Sequence, residues 1–318
     1  MDDVVAAALD GAFPGRAVET VEETGPSWNE ENRTVRVEFV DGEAVYLKTT
    51  TGNGTRFARE RAVVAYVAAT TEVPVPTVPA CDPDGSVPYL VTAPVEGESL
   101  LGPWYDRDVA ERLPLARAVG RTLARVHGLR FEGHGRVVGG NSEELELNGK
   151  PWPDLLVEQI REARRIAPSE RFGRHYDAVV ATVEANRDLL SPAPATLCHG
   201  DPAIPNCFLT DGEVGLLDWE RAHVGDPARD LYRTRRQQLD AMREDAPEEL
   251  VGALYDGYRE VAGGLPEGFA ARRPVYEAVW FLSYSGFFDN WVEFRDEPRG
   301  ELAEWVEAGM KRRLAAIR

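Results

Sequence analysis

Along residues 33 to 49, apolar and polar positions alternate through Val35, Val37 and Phe39, break at Asp41-Gly42, and resume through Val45 and Leu47. That period of two, interrupted by a turn pair, predicts a β-hairpin whose second strand ends at Lys48. From Arg56 to Ala69 the spacing becomes helical, with Glu60, Val64 and Val67 near one face. The run Val73-Pro74-Val75-Pro76 cannot continue that helix. After the turn Asp82-Pro83-Asp84-Gly85, the apolar run Tyr89-Leu90-Val91-Thr92 predicts another strand, and Pro94 with Gly97 ends the pattern. The break divides the chain into a β-rich lobe, residues 1–95, and a second lobe, residues 96–318.

Beyond the break the periodicity is mainly helical. Ala116, Val119, Leu123 and Val126 form one stripe, and amphipathic segments follow over Leu155 to Arg165, His175 to Leu190, Tyr276 to Phe294 and Glu301 to Ile317. A single β-like island interrupts them: Thr196 to Gly200, then Cys207-Phe208-Leu209, the turn Asp211-Gly212, and Val214 to Leu217. No internal repeat or low-complexity segment is visible. The order of elements predicts an α+β protein, β-rich first and helical afterwards.

Charge narrows the function classes. Against 36 basic side chains stand 54 acidic ones, a net charge of -18, which disfavours binding to nucleic acid or an anionic membrane. A high-salt cytoplasm would explain the acidity, because in molar salt the Debye length falls to roughly 3 Å and self-repulsion is screened. A cationic substrate is the rival explanation. No apolar run reaches the length of a membrane helix, and the acidic start Met1-Asp2-Asp3 is unlike a secretory signal. Cys81, Cys198 and Cys207 lack metal-site or disulfide spacing. A cytoplasmic protein is expected.

The chemistry concentrates in Cys198-His199-Gly200-Asp201-Pro202-Ala203-Ile204-Pro205-Asn206, with Asp218-Trp219-Glu220 directly after the next strand. Phosphoryl transfer needs a carboxylate to orient the attacking hydroxyl and hard oxygen ligands for magnesium. Asp201, Asn206 and Asp218 supply that set. It also needs a cation for the donor phosphates, fixed by a buried glutamate. Lys48, one of only three lysines, and the helix-borne Glu60 fit that need.

With these residues in place, the chain resembles the aminoglycoside phosphotransferase and choline kinase family, distant relatives of protein kinases, over nearly its whole length. The motif H-G-D-x-x-x-x-N, ending on Asn206, is the specific part, and the resemblance implies Asp201 as the catalytic base and Asn206 and Asp218 as ligands of Mg2+. Asp218-Trp219-Glu220 is similar to the D-x-E pattern and Gly225-Asp226-Pro227-Ala228-Arg229-Asp230-Leu231 to G-D-P-x-x-D-L. The resemblance implies a bilobal protein-kinase-like fold with a small antiparallel N-lobe and a large helical C-lobe. It implies ATP or GTP as donor and a small-molecule hydroxyl as acceptor, such as an aminoglycoside, amino-alcohol or sugar. It places the adenine-binding hinge at Thr92, Ala93 and Val95, around Pro94. Two departures stand out. No G-x-G-x-x-G loop is present, Gly25-Pro26-Ser27-Trp28-Asn29 being a loose counterpart, and Pro202 and Pro205 stiffen the catalytic loop.

Ordinary turn chemistry competes for Asp201, Asn206 and Asp218 taken singly, but their joint spacing argues against it. His199 is read as a packed support, Asp226 and Asp230 as braces of the loop, and His127 and His223 as structural. Cys198 and Cys207 are read as core. Trp280, Tyr284, Phe287 and Trp291 fall at helical spacing and are read as a core stripe ahead of a cage for a quaternary ammonium group. The neighbouring Glu277, Asp289, Glu293 and Asp296 would suit a cationic amine. A catalytically silent nucleotide-binding module and a protein kinase are the competing functions. The intact residue set argues against the first, and the absence of recognisable peptide-docking segments against the second.

Overall fold

Alternation in the first hundred residues produces one antiparallel sheet. The computed structural model describes residues 2–24 and 32–317, so the segment Gly25-Pro26-Ser27-Trp28-Asn29 lies outside the described residues. The chain begins with α1 (Asp3–Ala12), capped by Asp2, whose carboxylate accepts from the Val4 and Val5 amides at 3.0 and 2.9 Å. Then come β1 (Val18–Glu23), β2 (Asn32–Phe39), β3 (Ala44–Thr50), α2 (Thr55–Thr70), β4 (Ala80–Asp82) and β5 (Tyr89–Thr92). The strands pair in the order β1-β2-β3-β5-β4. Across the hairpin Val35 faces Leu47 and Val37 faces Val45, and these side chains meet Val5, Ala8 and Leu9 of α1 in a small core. Because successive strand residues point to opposite faces, burying Leu47 sends Lys48 to the other side of the sheet.

Helix α2 divides its loyalties. Its Val63, Val64 and Val67 pack into the larger hydrophobic core that the second part of the chain builds, rather than into the core under the sheet. The expected boundary near residue 95 therefore does not coincide with a clean separation of the two cores.

The second part runs β6 (Glu98–Ser99), α3 (Leu101–Asp106), α4 (Val109–His127), β7 (Gly135–Gly140), β8 (Leu145–Gly149), α5 (Trp152–Arg165), α6 (Gly173–Ala185) and α7 (Arg187–Leu190). It continues with β9 (Thr196–Cys198), β10 (Cys207–Thr210), β11 (Glu213–Leu216), β12 (His223–Gly225), α8 (Pro227–Gln238), α9 (Glu248–Ala262), α10 (Phe269–Gly286), α11 (Phe288–Trp291) and α12 (Arg299–Ala316). Here the expectation of one β island needs correcting. Two small sheets are present, β11-β10-β6 and β8-β7-β12-β9, and the loop 199–206 bridges them, β9 belonging to one and β10 to the other. The β7–β8 hairpin escaped notice because Gly135, Gly139 and Gly140 dilute its alternation. The helix expected over 276–294 starts earlier, at Phe269, and ends at Gly286, and the one expected over 175–190 breaks at Asn186. Among the described residues no helix is long and apolar enough to cross a membrane.

Helices α4 and α9 approach closely through two glycines. A Cβ on Gly120 would lie 2.1 Å from the Leu254 carbonyl oxygen, and one on Gly257 would lie 1.9 Å from that of Arg117. The contact matters for the site, since α4 carries His127 and α9 carries Tyr258, whose hydroxyl meets His127 Nδ1 at 3.0 Å. Gly257→Ala should destabilise the protein by about 1–3 kcal/mol through overpacking. Gly252→Ala, on the same helix with open space around it, should stabilise by about 0.5–1 kcal/mol through helix propensity. Urea midpoints moving in opposite directions check the pair.

Candidate active site

The loop 199–206 is held by a carboxylate beneath it. Asp230, on the first turns of α8, is 2% exposed and accepts from the backbone amides of His199 at 2.9 Å and Gly200 at 3.0 Å. His127 Nε2 approaches the same carboxylate at 3.3 Å. Burial alone would raise its pKa, but the bond from His127 and the charges around it hold it well below the ordinary carboxylate value. Gly200 turns the chain with φ +83, and a Cβ there would meet the Arg221 carbonyl oxygen at 2.4 Å, so only glycine passes.

His199 is a two-ended strut. Its Nε2 donates to the Leu217 carbonyl at 2.9 Å, and its Nδ1 accepts from the Asp201 amide at 3.2 Å. These partners assign one tautomer of the neutral ring. Burial lowers its pKa, and Trp219 packs on it with ring centroids 4.5 Å apart. The ring links the two segments that carry Asp201 and Asp218.

Asn206 Nδ2 donates to the Asp201 carbonyl at 2.9 Å, and the Asn206 carbonyl accepts from the Leu217 amide at 2.8 Å. Among the described residues Asn206 Oδ1 has no hydrogen-bond partner. Asp218 follows in the left-handed region at φ 62, a conformation that aspartate tolerates better than most residues. Its Oδ1 accepts from Lys48 Nζ at 2.7 Å. Lys48 also donates to both oxygens of Glu60, at 2.7 and 2.9 Å. One ammonium thus joins β3, α2 and the segment after β11. Burial pushes the ammonium's pKa down, but Glu60 and then Asp218 outweigh that and raise it. Glu60, 1% exposed, has its carboxyl pushed up to about 7, by burial first and with Lys48 opposing. Arg59, next to it, donates to the Val137 and Glu220 carbonyls at 2.8 and 2.6 Å, tying α2 to β7 and to the segment that follows Asp218.

Asp201 Oδ1 accepts from Arg233 at 2.9 Å and from Gln237 at 2.5 Å. Burial works to raise its pKa, but Arg233, then Arg221, draw it down to about 2. Among the described residues Oδ2 has no partner. At the expected hinge, Thr92 sits in the sheet opposite Tyr46 and the Ala93 amide donates to the Thr77 carbonyl at 2.9 Å. Pro94 has no N–H, so the Val95 amide, unpartnered among the described residues, is the donor left at this edge.

Remaining sequence expectations also find places. Asp226 accepts from Arg272 at 2.5 and 3.0 Å and from the Tyr276 hydroxyl. Cys198 and Cys207 are buried, and burial raises both thiols, Cys207 to about 12. Tyr284 and Trp291 pack with Phe281 and Trp305, so that half of the stripe is core, whereas Trp280, with Arg233 over it at 5.5 Å, and Phe287 line a cavity. Of the acids beside it, Glu277 pairs with Arg273 and Asp289 with Arg171. Sequence reasoning missed Arg229, Arg233 and Gln237, although their spacing of four along α8 puts them on one helix face.

A model of the phosphotransferase enzyme family matches residues 22–277. No curated protein sequence matches the chain. Among solved structures it is similar to a candidate fructosamine-3-kinase from Thermobifida fusca (20% identity, 98% of this chain and 99% of that one, TM-score 0.60). It is also similar to aminoglycoside phosphotransferase APH(4)-Ia, determined with ADP and hygromycin B (14%, 96% and 96%, TM-score 0.62). A third likeness is to macrolide 2'-phosphotransferase MphH from Brachybacterium faecium (19%, 95% and 97%, TM-score 0.58).

Removing one partner of a buried ion pair leaves the other charge stranded, at a cost of about 3–5 kcal/mol. Lys48→Met should therefore destabilise the protein by roughly that amount. In this variant Glu60 keeps a pKa raised by burial and loses its cation. A carboxyl raised above its unfolded value of about 4.3 makes stability fall as pH rises beyond that value. Denaturant titrations should show a larger deficit at high pH than at low pH, and adding Glu60→Gln should flatten the difference.

Proposed function

Since the chain belongs to the phosphotransferase enzyme family, a family of small-molecule kinases, we propose that it moves the γ-phosphate of ATP, or GTP, onto a hydroxyl of a small molecule. The observation that carries this reading is the Lys48 ammonium held at 2.7 Å from both Glu60 and Asp218. It sets a donor-phosphate cation beside a metal-ligand carboxylate, within one connected network that includes Asp201.

Asp201 is the base. Oδ1 is occupied by Arg233 and Gln237, which fixes the carboxylate and leaves Oδ2 to accept the acceptor's hydroxyl proton. Held near a pKa of about 2, the group is a weak base, suited to orienting the hydroxyl and taking its proton late in the transfer. Asn206 Oδ1 and the Asp218 carboxylate are hard oxygen donors on segments joined by the bond between the Leu217 amide and the Asn206 carbonyl. That donor chemistry fits Mg2+. When bound, the ion would neutralise charge on the donor phosphates. Lys48, its rotamer set by Glu60, adds fixed positive charge, and the Val95 amide offers a donor to the adenine edge.

The transfer is a single displacement. The acceptor oxygen forms a bond to the γ-phosphorus while the bond from that phosphorus to the β,γ-bridging oxygen breaks. The electron pair leaves with the nucleoside diphosphate, and the hydroxyl proton passes to Asp201 and then to solvent. A cytoplasmic, high-salt setting accords with the charge of -18 but plays no part in the chemistry.

Asp201→Ala should retain nucleotide binding and lose turnover by about 10²–10⁴-fold, the usual contribution of a positioned base. Asp218→Ala should instead weaken magnesium-dependent nucleotide binding. Calorimetric titration with the magnesium–nucleotide complex, beside a nucleotide-consumption assay, checks both. Near-normal turnover by Asp201→Ala would remove it as base.

A further inference from the structure

In a chain of net charge -18, the space beside the proposed base is positively charged. A cavity of about 160 Å³ between α5, α8 and α10 is lined by Arg221, Arg229 and Arg233, and among the described residues no acidic side chain lines it. It adjoins a smaller space of about 70 Å³ that shares the three arginines and reaches Gly200 of the catalytic loop. The two carboxylates of that smaller space, Glu162 and Glu220, are already paired with Arg136 and Arg56.

Two of the three arginines lack a counter-charge of their own. Among the described residues, Arg233 has only Asp201 as a carboxylate partner, and Arg221 and Arg229 have none. Arg229 lies over Trp152 at 5.8 Å. Burial first, then the neighbouring Arg233, lowers its pKa to about 10. Three further polar atoms on the cavity wall, Gln159 Oε1, Trp280 Nε1 and Ser283 Oγ, are buried without a partner among the described residues. Arg229 and Arg233 are half-buried and Arg221 is exposed. A half-buried guanidinium without a carboxylate, and buried donors such as Trp280 Nε1 and Ser283 Oγ without a partner, are costly to maintain, and a bound anion would complete them. Forked arginine donors match carboxylate and phosphate oxygens. Ile160, Val279 and Leu282 supply apolar wall for a short carbon skeleton, and the volume admits only a small molecule.

We propose that the acceptor is a small alcohol carrying a carboxylate or phosphate group, which Arg221, Arg229 and Arg233 hold while its hydroxyl meets Asp201. This rests on the phosphotransfer reading above and names its substrate class. It is opposite in sign to the cationic acceptor that overall acidity allows, because the local field and not the net charge selects the ligand. The same field would favour an acceptor anion over water in the cleft.

Four small alcohols of different charge test it: glycerol 3-phosphate, glycerate, glycerol and ethanolamine. Each is added to the full chain at low ionic strength, with thermal unfolding and magnesium–ATP consumption both recorded. One or both anions should raise the melting temperature and stimulate consumption, with glycerol and ethanolamine inert. Arg229→Gln, and separately the exposed Arg221→Gln, should weaken the anion response at least tenfold. Preference for glycerol 3-phosphate assigns a phosphate ligand, and preference for glycerate a carboxylate. The proposal is overturned by no response to either anion at 20 mM, by ethanolamine acting more strongly, or by anion responses within twofold of the parent in both variants. Anion binding without stimulated consumption would instead count against phosphotransfer, and consumption stimulated by ethanolamine alone would keep phosphotransfer and remove the anion site.

Discussion

Asp230 is the constraint on which the rest of the site depends. A carboxylate this deep is tolerable only if fully hydrogen-bonded, and its partners are the amides of the turn that delivers Asp201. Tyr258 on α9 holds His127 on α4, His127 holds Asp230, and Asp230 holds the turn. The close passage of α4 and α9 is thereby linked to the geometry of a loop that neither helix carries. His199 continues the chain of support to Leu217, beside Asp218.

The other half of the site hangs on Lys48. Strand alternation, which buries Leu47 under the sheet, turns the ammonium toward α2 and the segment after β11. Helix α2 is fixed to the second part of the chain by its valines and by Arg59, which holds Glu60 against the ammonium. The Lys48 ammonium thus has two carboxylates to answer it, whereas Arg221 and Arg229 have none among the described residues. On the proposed reading, that asymmetry distinguishes a donor side complete in itself from an acceptor side that an anion would complete.

Much of this was legible in the sequence. The hairpin carrying Lys48 and the helix carrying Glu60 follow from clear periods of two and of 3.6, and the H-G-D-x-x-x-x-N and D-x-E patterns pointed to the loop and the segment after β11. Asp230 and His199 were read as supports, and the hydrogen bonds show how each could act. What could not be read depends on distant pairing. The glycine-diluted β7–β8 hairpin acquires its sheet only through β12, and the sharing of strands between two sheets around 199–206 has no local signature. Arg233 and Gln237 looked like an ordinary polar helix face, because nothing in α8 itself announces that Asp201 lies opposite. The occupied Ala93 amide was likewise invisible, its partner Thr77 lying in an irregular stretch.

Direct, in-line transfer assisted by Asp201 is the central claim, and the stereochemical course at phosphorus tests it most directly. With a nucleotide made chiral at the γ-position by isotopes and sulfur, and water serving as acceptor if no better one is at hand, the account predicts inversion of configuration. Retention would mean two displacements through a phosphorylated protein side chain, and would contradict Asp201 as a base acting on the acceptor hydroxyl.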